Sequence, residues 1–275
     1  MSFRHSICNE IFQGWDFAQA CHFMRGTGYE GIEIAPFTLA EDPATIGSER
    51  RRELRTIIEN EGLEFVGLHW LLAAPKGLHV TTADDALRAR SWDHIRKLID
   101  LCAALGDNGV MVFGSPKQRE ASGGTTVEEA TRRFADGLAS VAAQAAFRRV
   151  RILVEALPKN QTNVVGTLRE AVAIVDEINS RGVRTMFDTH NAVDETEPHG
   201  ELVARYLQYI EHVHVNEVDG KHCGRGGYDF KPVLRALRAG GYAGWISLEA
   251  FDFSFGAETI ARESLAYLKS ETEKL

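Results

Sequence analysis

The chain has 275 residues, of which 44% are hydrophobic and 25% charged, a composition typical of a globular protein with a substantial core. Its net charge of −8 argues against nucleic-acid binding, because neutralising phosphates needs a clustered surplus of lysine and arginine, and the basic residues here are scattered. No stretch approaches the ~20 apolar residues of a membrane span, and residues 1–9 lack the apolar region of a signal peptide. We therefore expect a cytoplasmic protein that binds neither nucleic acid nor membrane.

Eight short segments rich in β-forming residues follow one another along the chain. We predict strands at residues 3–9, 31–36, 65–70, 110–114, 151–157, 185–189, 212–216 and 245–251. Helical periodicity lies between them, for example at residues 49–61, 84–105, 127–147, 164–180 and 257–269. Several helical segments end on a glycine before the next strand, which is the expected stop signal: Gly28, Gly62, Gly106, Gly182 and Gly241.

Strand–helix alternation repeated eight times implies a parallel sheet with helices outside it, and eight such units can close into a barrel. No linker interrupts the series, so we expect residues 1–275 to form one α/β domain, a (β/α)₈ TIM barrel. The alternative is a doubly wound open sheet, which usually has a glycine-rich first turn. Residues 9–14 contain no such glycine pattern, which disfavours the open sheet.

The four cysteines are spread along the chain and form neither a C-x-x-C pair nor a dense framework: Cys8, Cys21, Cys102 and Cys223. We interpret them as reduced thiols, which is typical of a cytoplasmic protein. A nucleophilic thiol is an alternative that no neighbouring residue favours.

The last four predicted strands each end in a metal-ligating residue type. Side chains alternate along a strand, so Glu155 points inward when Ile152 faces the helices. The same alternation points Asp188, His214 and Glu249 inward at the ends of the next three strands. The spacings of 33, 26 and 35 residues are each close to one strand–helix unit. We therefore expect the four groups to converge on one mouth of the barrel.

Converging buried carboxylates repel one another, and ionised groups in a low-dielectric interior are costly unless compensated. A divalent cation removes both costs. Three oxygen donors and one imidazole suit Mn²⁺, Mg²⁺ or Co²⁺ better than a thiolate-type zinc site does, and Zn²⁺ stays an alternative. We therefore predict that Glu155, Asp188, His214 and Glu249 bind one divalent metal ion. For any one of them taken alone, an ion pair or a helix cap is the alternative.

Further polar residues follow the earlier strands. Glu33 ends the second strand and His69 the third, and Trp70 either forms an apolar wall or packs beneath a loop. Lys117 and Arg119 follow the fourth strand, where they would grip a hydroxyl-rich or anionic substrate or else be merely solvated. We predict that His69, Lys117 and Arg119 bind substrate.

These strand ends resemble those of the xylose isomerase-like TIM barrels, which include ketose 3-epimerases, inosose dehydratases and, more distantly, DNA-repair endonucleases. The resemblance rests on residues 152–157, 186–191, 212–217 and 246–249, and it is specific for the metal quartet rather than for one reaction. It implies a metal-dependent sugar isomerase or epimerase, with Mn²⁺ as the first choice of metal. A sugar or cyclitol dehydratase and a sugar-binding barrel without turnover are the alternatives. The endonucleases fit poorly, because their pattern needs a histidine where the fourth strand has residues 113–115.

In the ketose 3-epimerases two metal-binding glutamates act as the acid/base pair, and by resemblance these are Glu155 and Glu249. The resemblance also implies a small-molecule sugar as partner and a homo-oligomer, a dimer or a tetramer.

Three positions depart from the epimerase pattern. Gln161 stands in place of a glutamate, Asn191 in place of a histidine and Gly220 in place of an arginine, for which Lys221 or Arg225 can substitute. From the resemblance we predict these further substrate-binding residues: Gln161, His190, Asn191, Glu217 and Arg225.

Overall fold

The computed structural model describes residues 3–275, which contain a closed barrel of eight parallel strands. The strands are β1 Arg4–Cys8, β2 Gly31–Ile34, β3 Glu64–Leu68, β4 Val110–Phe113, β5 Arg151–Val154, β6 Val183–Asp188, β7 Ile210–Val215 and β8 Trp245–Leu248. Each strand pairs with its neighbours in chain order, and β8 pairs with β1 to close the barrel. The predicted (β/α)₈ fold is confirmed, because an open sheet has two unpaired edges and this one has none.

Helices connect the strands around the outside of the barrel. They are α1 Phe17–Thr27, α2 Ser48–Asn60, α3 Asp85–Leu105, α4 Pro116–Arg119, α5 Val127–Phe147, α6 Leu168–Ile178, α7 His199–Tyr206, α8 Lys231–Ala239 and α9 Ala257–Glu273. Short 3₁₀ helices lie at Asn9–Phe12, Pro36–Thr38, Pro43–Thr45, Asn191–Asp194, Leu207–Tyr209 and Phe253–Phe255. The five helices that we predicted from periodicity are all present, and α5 has the predicted bounds.

The strands that carry the site end earlier than predicted. β5 ends at Val154 and β8 at Leu248, whereas the sequence pattern extends three residues further in both cases. The backbone N–H groups of Glu155 and Glu249 reach carbonyl oxygens of the neighbouring strands only at 3.5 and 3.4 Å. Hydrogen bonds of this length are weak, because the chain is already turning into a loop. Both glutamates therefore lie where the strand gives way to the loop.

Alternation along the strands separates two apolar cores. Ile152 and Val154 belong to the large core between the barrel and its helices. Leu153 faces the barrel interior, and Glu155, two residues further on, faces the same way. The small interior core contains five buried side chains: Val66, Val110, Val112, Leu153 and Met186. The apolar filling of the barrel is therefore confined to a few side chains, and polar groups occupy the interior near its C-terminal mouth.

Two of the predicted stop glycines are required for different reasons. Gly28 ends α1 with φ 107°, a left-handed conformation that favours glycine. Gly106 ends α3 with an extended backbone, φ −176°, which any residue adopts. A Cβ at Gly106 would lie 2.8 Å from the Phe65 side chain, so this glycine is needed for space.

The four cysteines are buried and free. Burial raises the pKa of the Cys21 thiol to about 12 and that of Cys8 well above its ordinary value, with nearby carboxylates adding to both shifts. Such thiols stay protonated, which disfavours the alternative of a cysteine nucleophile. In residues 3–275 no helix combines the length and the apolar character needed to cross a membrane.

The packing of α5 can be tested with a matched pair of helical glycines. A Cβ at Gly137 would overlap the Trp92 indole, whereas a Cβ at Gly26 in α1 would meet open space. Alanine gains helix propensity at either site, up to about 1 kcal/mol. We expect Gly26→Ala to leave the free energy of unfolding equal or higher, and Gly137→Ala to lower it by about 1–3 kcal/mol in urea titrations. A Gly137→Ala protein as stable as the wild type would contradict this packing.

Candidate metal centre

Four side chains from neighbouring strands converge at the C-terminal mouth of the barrel. Glu155 follows β5, Asp188 ends β6, His214 lies in β7 and Glu249 follows β8. Each offers one ligand atom, these atoms lie within 4.8 Å of one another, and all four residues are buried. Nδ1 of His214 lies 3.0 Å from Oε2 of Glu249 and 3.7 Å from Oδ2 of Asp188. The structure therefore brings together the four residues that we predicted as metal ligands.

Three buried carboxylates and one imidazole determine the electrostatics of this cluster. Burial, together with the charges of Asp188 and Glu249, raises the pKa of Glu155 to about 8. Burial lowers the pKa of His214, but the carboxylates of Glu33 and Glu249 outweigh it and hold that pKa well above its ordinary value. Burial likewise acts to raise the pKa of Glu249, but the charge of His214 outweighs it and lowers that pKa. Without a cation, one carboxyl group therefore keeps its proton near neutral pH.

The donor set fits a divalent cation, because three carboxylates and one imidazole within mutual reach are ligands that Mn²⁺, Mg²⁺, Co²⁺ and Zn²⁺ accept. The absence of a side chain at Gly114 also leaves room for the Glu155 carboxylate. A Cβ at Gly114, directly after β4, would overlap Oε2 of Glu155. Asn191 donates from Nδ2 to the other oxygen, Oε1, at 2.8 Å. One oxygen of Glu155 is thus held in place while the other stays free for a ligand.

A row of buried polar groups lies behind His214. The Nε2 atoms of His214 and His212 donate to Glu33 in β2, at 3.0 and 2.8 Å. With Nε2 of His214 used in this way, Nδ1 faces the carboxylates. Nε2 of His69 pairs with Glu10 at 2.8 Å, and although burial lowers the pKa of His69, the charge of Glu10 outweighs it and raises that pKa to about 9.

Sequence reasoning placed two members of this row at the mouth, Glu33 and His69, and missed the other two. Glu10 lies two residues beyond the end of β1, and His212 lies two residues before His214 on the same strand face. The same rule of strand ends and alternation that found the quartet contains a signal for both.

A cavity of about 340 Å³ opens above the cluster. Trp70 lines it and adopts a left-handed backbone conformation, φ 54°, from which its indole N–H donates to Oε1 of Glu249 at 2.8 Å. Its ring meets Phe251 edge to face at 6.4 Å, so Trp70 forms an apolar wall rather than packing beneath a loop. Four predicted substrate-binding residues also line the cavity: His69, Gln161, His190 and Asn191.

The two predicted substrate-binding residues after β4 do not line the cavity. Arg119 is fully buried, and its guanidinium donates to the backbone oxygens of Phe113 at 2.9 Å and Glu155 at 2.7 Å. It therefore ties the ends of β4 and β5 together. Lys117 lies at the surface and pairs with Glu120 at 3.3 Å. The short helix α4, which carries both residues, turns one inward and the other to solvent.

The two predicted substrate-binding residues after β7 also lie outside the cavity lining. Glu217 accepts the backbone N–H groups of Gly224 at 2.8 Å and Tyr228 at 2.9 Å, so its carboxylate organises the loop. Arg225 reaches α9, where its guanidinium donates to Glu263 at 2.6 and 2.7 Å. Lys221 pairs with Asp219 at 2.6 Å, so neither Lys221 nor Arg225 lines the cavity in place of the arginine that is absent at Gly220.

The profile of the family described as the xylose isomerase-like TIM barrel matches residues 21–271. The chain belongs to this family. An L-ribulose 3-epimerase of Methylomonas sp. (strain DH-1) is 27% identical over 248 residues, which cover 86% of this chain and 80% of that protein. An inosose dehydratase of Geobacillus thermodenitrificans (strain NG80-2) is 26% identical over 131 residues, 36% of this chain and 44% of that protein. A solved structure of an L-ribulose 3-epimerase superposes with a TM-score of 0.85 at 21% identity, covering 99% of this chain and 95% of that one.

Membership of the xylose isomerase-like TIM barrel family accounts for the closed barrel, and active sites of such barrels lie at the mouth where the quartet lies. The three departures from the epimerase pattern, Gln161, Asn191 and Gly220, all line the cavity. They therefore change the space around the quartet and leave the quartet itself intact.

Cation binding can be measured through stability. A ligand at 100 times its dissociation constant stabilises a folded protein by about 2.7 kcal/mol, so we expect Mn²⁺ to raise the thermal unfolding midpoint and EDTA to reverse the rise. Asp188→Asn should abolish most of this rise, because it removes one ligand charge. The control Asp93→Asn changes a surface carboxylate that pairs with Lys97 and should keep the full rise. Equal rises in the two variants would contradict the ligand assignment.

The raised pKa of Glu155 links cation binding to proton release. A carboxyl group with a pKa of about 8 is mostly protonated at neutral pH, whereas a carboxyl group that binds a metal ion must be ionised. The affinity for Mn²⁺ should therefore increase between about pH 6 and pH 8, with release of up to one proton from this group. Calorimetry in buffers of different ionisation enthalpy measures that release. Glu155→Gln should release about one proton fewer than the wild type, because its amide carries no such proton, and a wild-type affinity independent of pH would exclude the linkage.

Proposed function

We propose that the protein is a divalent-metal-dependent carbohydrate epimerase that moves a proton at carbon 3 of a ketose. The observation that carries the proposal is that Glu155 and Glu249 belong to one cluster of metal-ligating side chains and line the same cavity. The similarity to an L-ribulose 3-epimerase over 86% of the chain supports the choice of reaction.

Glu155 and Glu249 are the proposed acid/base pair. They follow β5 and β8, which lie three strands apart around an eight-stranded barrel, so they approach a substrate from different sides. One carboxylate takes the proton from the substrate carbon and the other returns a proton to the opposite face, which inverts the configuration. Asn191 donates to Glu155 and Trp70 donates to Glu249, so each carboxylate is held by a neighbour while it works.

The proposed metal ligands are Glu155, Asp188, His214 and Glu249. The proposed ion is Mn²⁺, with Mg²⁺, Co²⁺ and Zn²⁺ as alternatives. When bound, such an ion polarises the substrate carbonyl and acidifies the neighbouring C–H bond. His214 would ligate the ion through Nδ1 as a neutral imidazole. Its Nε2–H donates a hydrogen bond to Glu33, which keeps the ring in this orientation.

The cavity favours an uncharged sugar. Within residues 3–275 no lysine or arginine lines it, and two of its walls carry the carboxylates Glu155 and Glu249. A phosphate group would meet negative charge without a lysine or arginine to pair with. Trp70 and Phe251 offer an apolar wall against the carbon face of a sugar and keep water away from the proton in transit.

A dehydratase on the same scaffold is the second candidate, and the similarity to an inosose dehydratase supports it. Removal of the same acidified proton can expel a β-hydroxyl group instead of leading to a new C–H bond. A barrel that binds a sugar without turnover is the third candidate.

We further propose that residues 1–275 form one domain, that the protein is cytoplasmic and that it forms a homodimer or homotetramer. Four buried free thiols suit a reducing compartment.

Proton exchange from solvent tests the reaction. Mn²⁺-loaded protein should exchange the C3 hydrogen of L-ribulose or D-fructose in D₂O, which proton NMR follows. Glu249→Gln should slow this exchange by about 10²–10⁴-fold, because the amide cannot take a proton. The control is Glu258→Gln, because Glu258 lies on the exposed face of α9, and this variant should exchange the C3 hydrogen at the wild-type rate.

The outcomes separate the candidates. Undiminished exchange in Glu249→Gln would defeat the acid/base assignment. Loss of water, seen as a new keto or enol product from an inosose, would identify the dehydratase. Cation binding without exchange in any ketose and without water loss would leave a non-catalytic binder.

A further inference from the structure

Two amide side chains connect the cavity to the proposed proton-transfer carboxylate. Nε2 of Gln161 donates to Oδ1 of Asn191 at 2.9 Å. Nδ2 of Asn191 donates to Oε1 of Glu155 at 2.8 Å and to Oδ2 of Asp188 at 3.2 Å. Asn191 is 5% exposed, whereas Gln161 is partly exposed in the cavity wall. A continuous path of hydrogen bonds thus runs from the substrate space to Glu155.

The hydrogen bonds run in one direction along this path. Oε1 of Glu155 and Oδ2 of Asp188 both act as acceptors, so Asn191 turns its NH₂ group toward these two carboxyl groups. Its carbonyl oxygen then faces Gln161, which must donate in turn. The orientation of Gln161 is therefore fixed by two carboxylates that it does not touch.

The backbone strengthens the same arrangement. The backbone N–H groups of Asn191 and His190 donate to Oδ1 of Asp188, at 3.1 and 2.6 Å. These two hydrogen bonds fix the backbone at Asn191. Its side chain bridges two predicted metal ligands that come from adjacent strands, β5 and β6. An amide in this position sets the separation of the two carboxylates.

We propose that Gln161 and Asn191 form a one-way amide relay that positions Glu155 for proton transfer and presents the Gln161 carbonyl oxygen to a substrate hydroxyl. The relay rests on the proposed function in that Glu155 is the group it positions. Asn191 and Gln161 act through that carboxylate, so both are positioning residues. The two departures from the epimerase pattern at these positions are then coupled, because a glutamate at 161 cannot donate to the Asn191 carbonyl.

Gln161→Glu is the sharpest test, because it keeps the size of the side chain and removes only the donor. An acceptor then faces Oδ1 of Asn191. The Asn191 amide either stays and suffers repulsion between two oxygen atoms, or flips and turns its own oxygen toward Glu155, so its hold on Glu155 weakens in both cases. We expect the affinity for Mn²⁺, measured by calorimetry without substrate, to fall about tenfold. The added negative charge by itself would raise cation affinity, so a fall cannot come from charge.

The same Gln161→Glu substitution is also made in the Asn191→Ala variant, which lacks the relay. Asn191→Ala should itself weaken Mn²⁺ binding, and Gln161→Glu added to it should cause no further fall, or a rise. This rescue by a second substitution separates the relay from general damage to the fold. A fall of the same size in both backgrounds, or no fall in the wild-type background, would overturn the proposal.

A second readout keeps the relay testable without metal. The same four proteins are unfolded in urea in the presence of EDTA. Gln161→Glu should lower the unfolding midpoint when Asn191 is present and leave it unchanged in Asn191→Ala. A wild-type protein that binds no Mn²⁺ would refute the proposed function, while this urea cycle would still support or refute the relay. Independent effects of the two substitutions on the midpoint would refute it.

Discussion

Repulsion among Glu155, Asp188 and Glu249 is the constraint around which the upper half of the barrel is organised. Together with His214, their ligand atoms lie within 4.8 Å of one another in a buried space, where ionised groups are costly. The protein alone relieves this repulsion by holding a proton on Glu155, whose pKa is raised to about 8 by burial and by the other two carboxylates. A divalent cation relieves it more completely, and the same cation supplies the chemistry that an epimerase needs.

The members of the cluster are held by partners that come from other parts of the barrel. Glu33 accepts from His214, Trp70 donates to Glu249, and Asn191 bridges Glu155 to its neighbour. Such partners keep ligand side chains in one orientation and limit the cost of binding. They occupy the barrel interior in place of apolar packing, which is confined to a small cluster of five buried side chains. Stability therefore comes mainly from the outer core between strands and helices.

Much of the quartet was predictable because strand geometry is local. Leu153 and Glu155 share a face by alternation alone, and equal spacing of the strand–helix units brings successive strand ends to one mouth. The loop residues were not predictable in this way. Arg119 lies buried against backbone carbonyls and Arg225 reaches α9, because a loop side chain takes its direction from tertiary contacts rather than from a period in the sequence.

The sequence by itself determined the eight-unit alternation, the four strand-end donors and the glutamine and asparagine that distinguish this cavity, since each follows from local pattern or residue type. Only the tertiary structure decided which of these residues meet. The pairs Gln161–Asn191, His69–Glu10 and Trp70–Glu249 are separated by 30, 59 and 179 residues. Such contacts depend on barrel closure and on the exact turn of each loop, and a register shift of one residue would point a strand side chain to the opposite face.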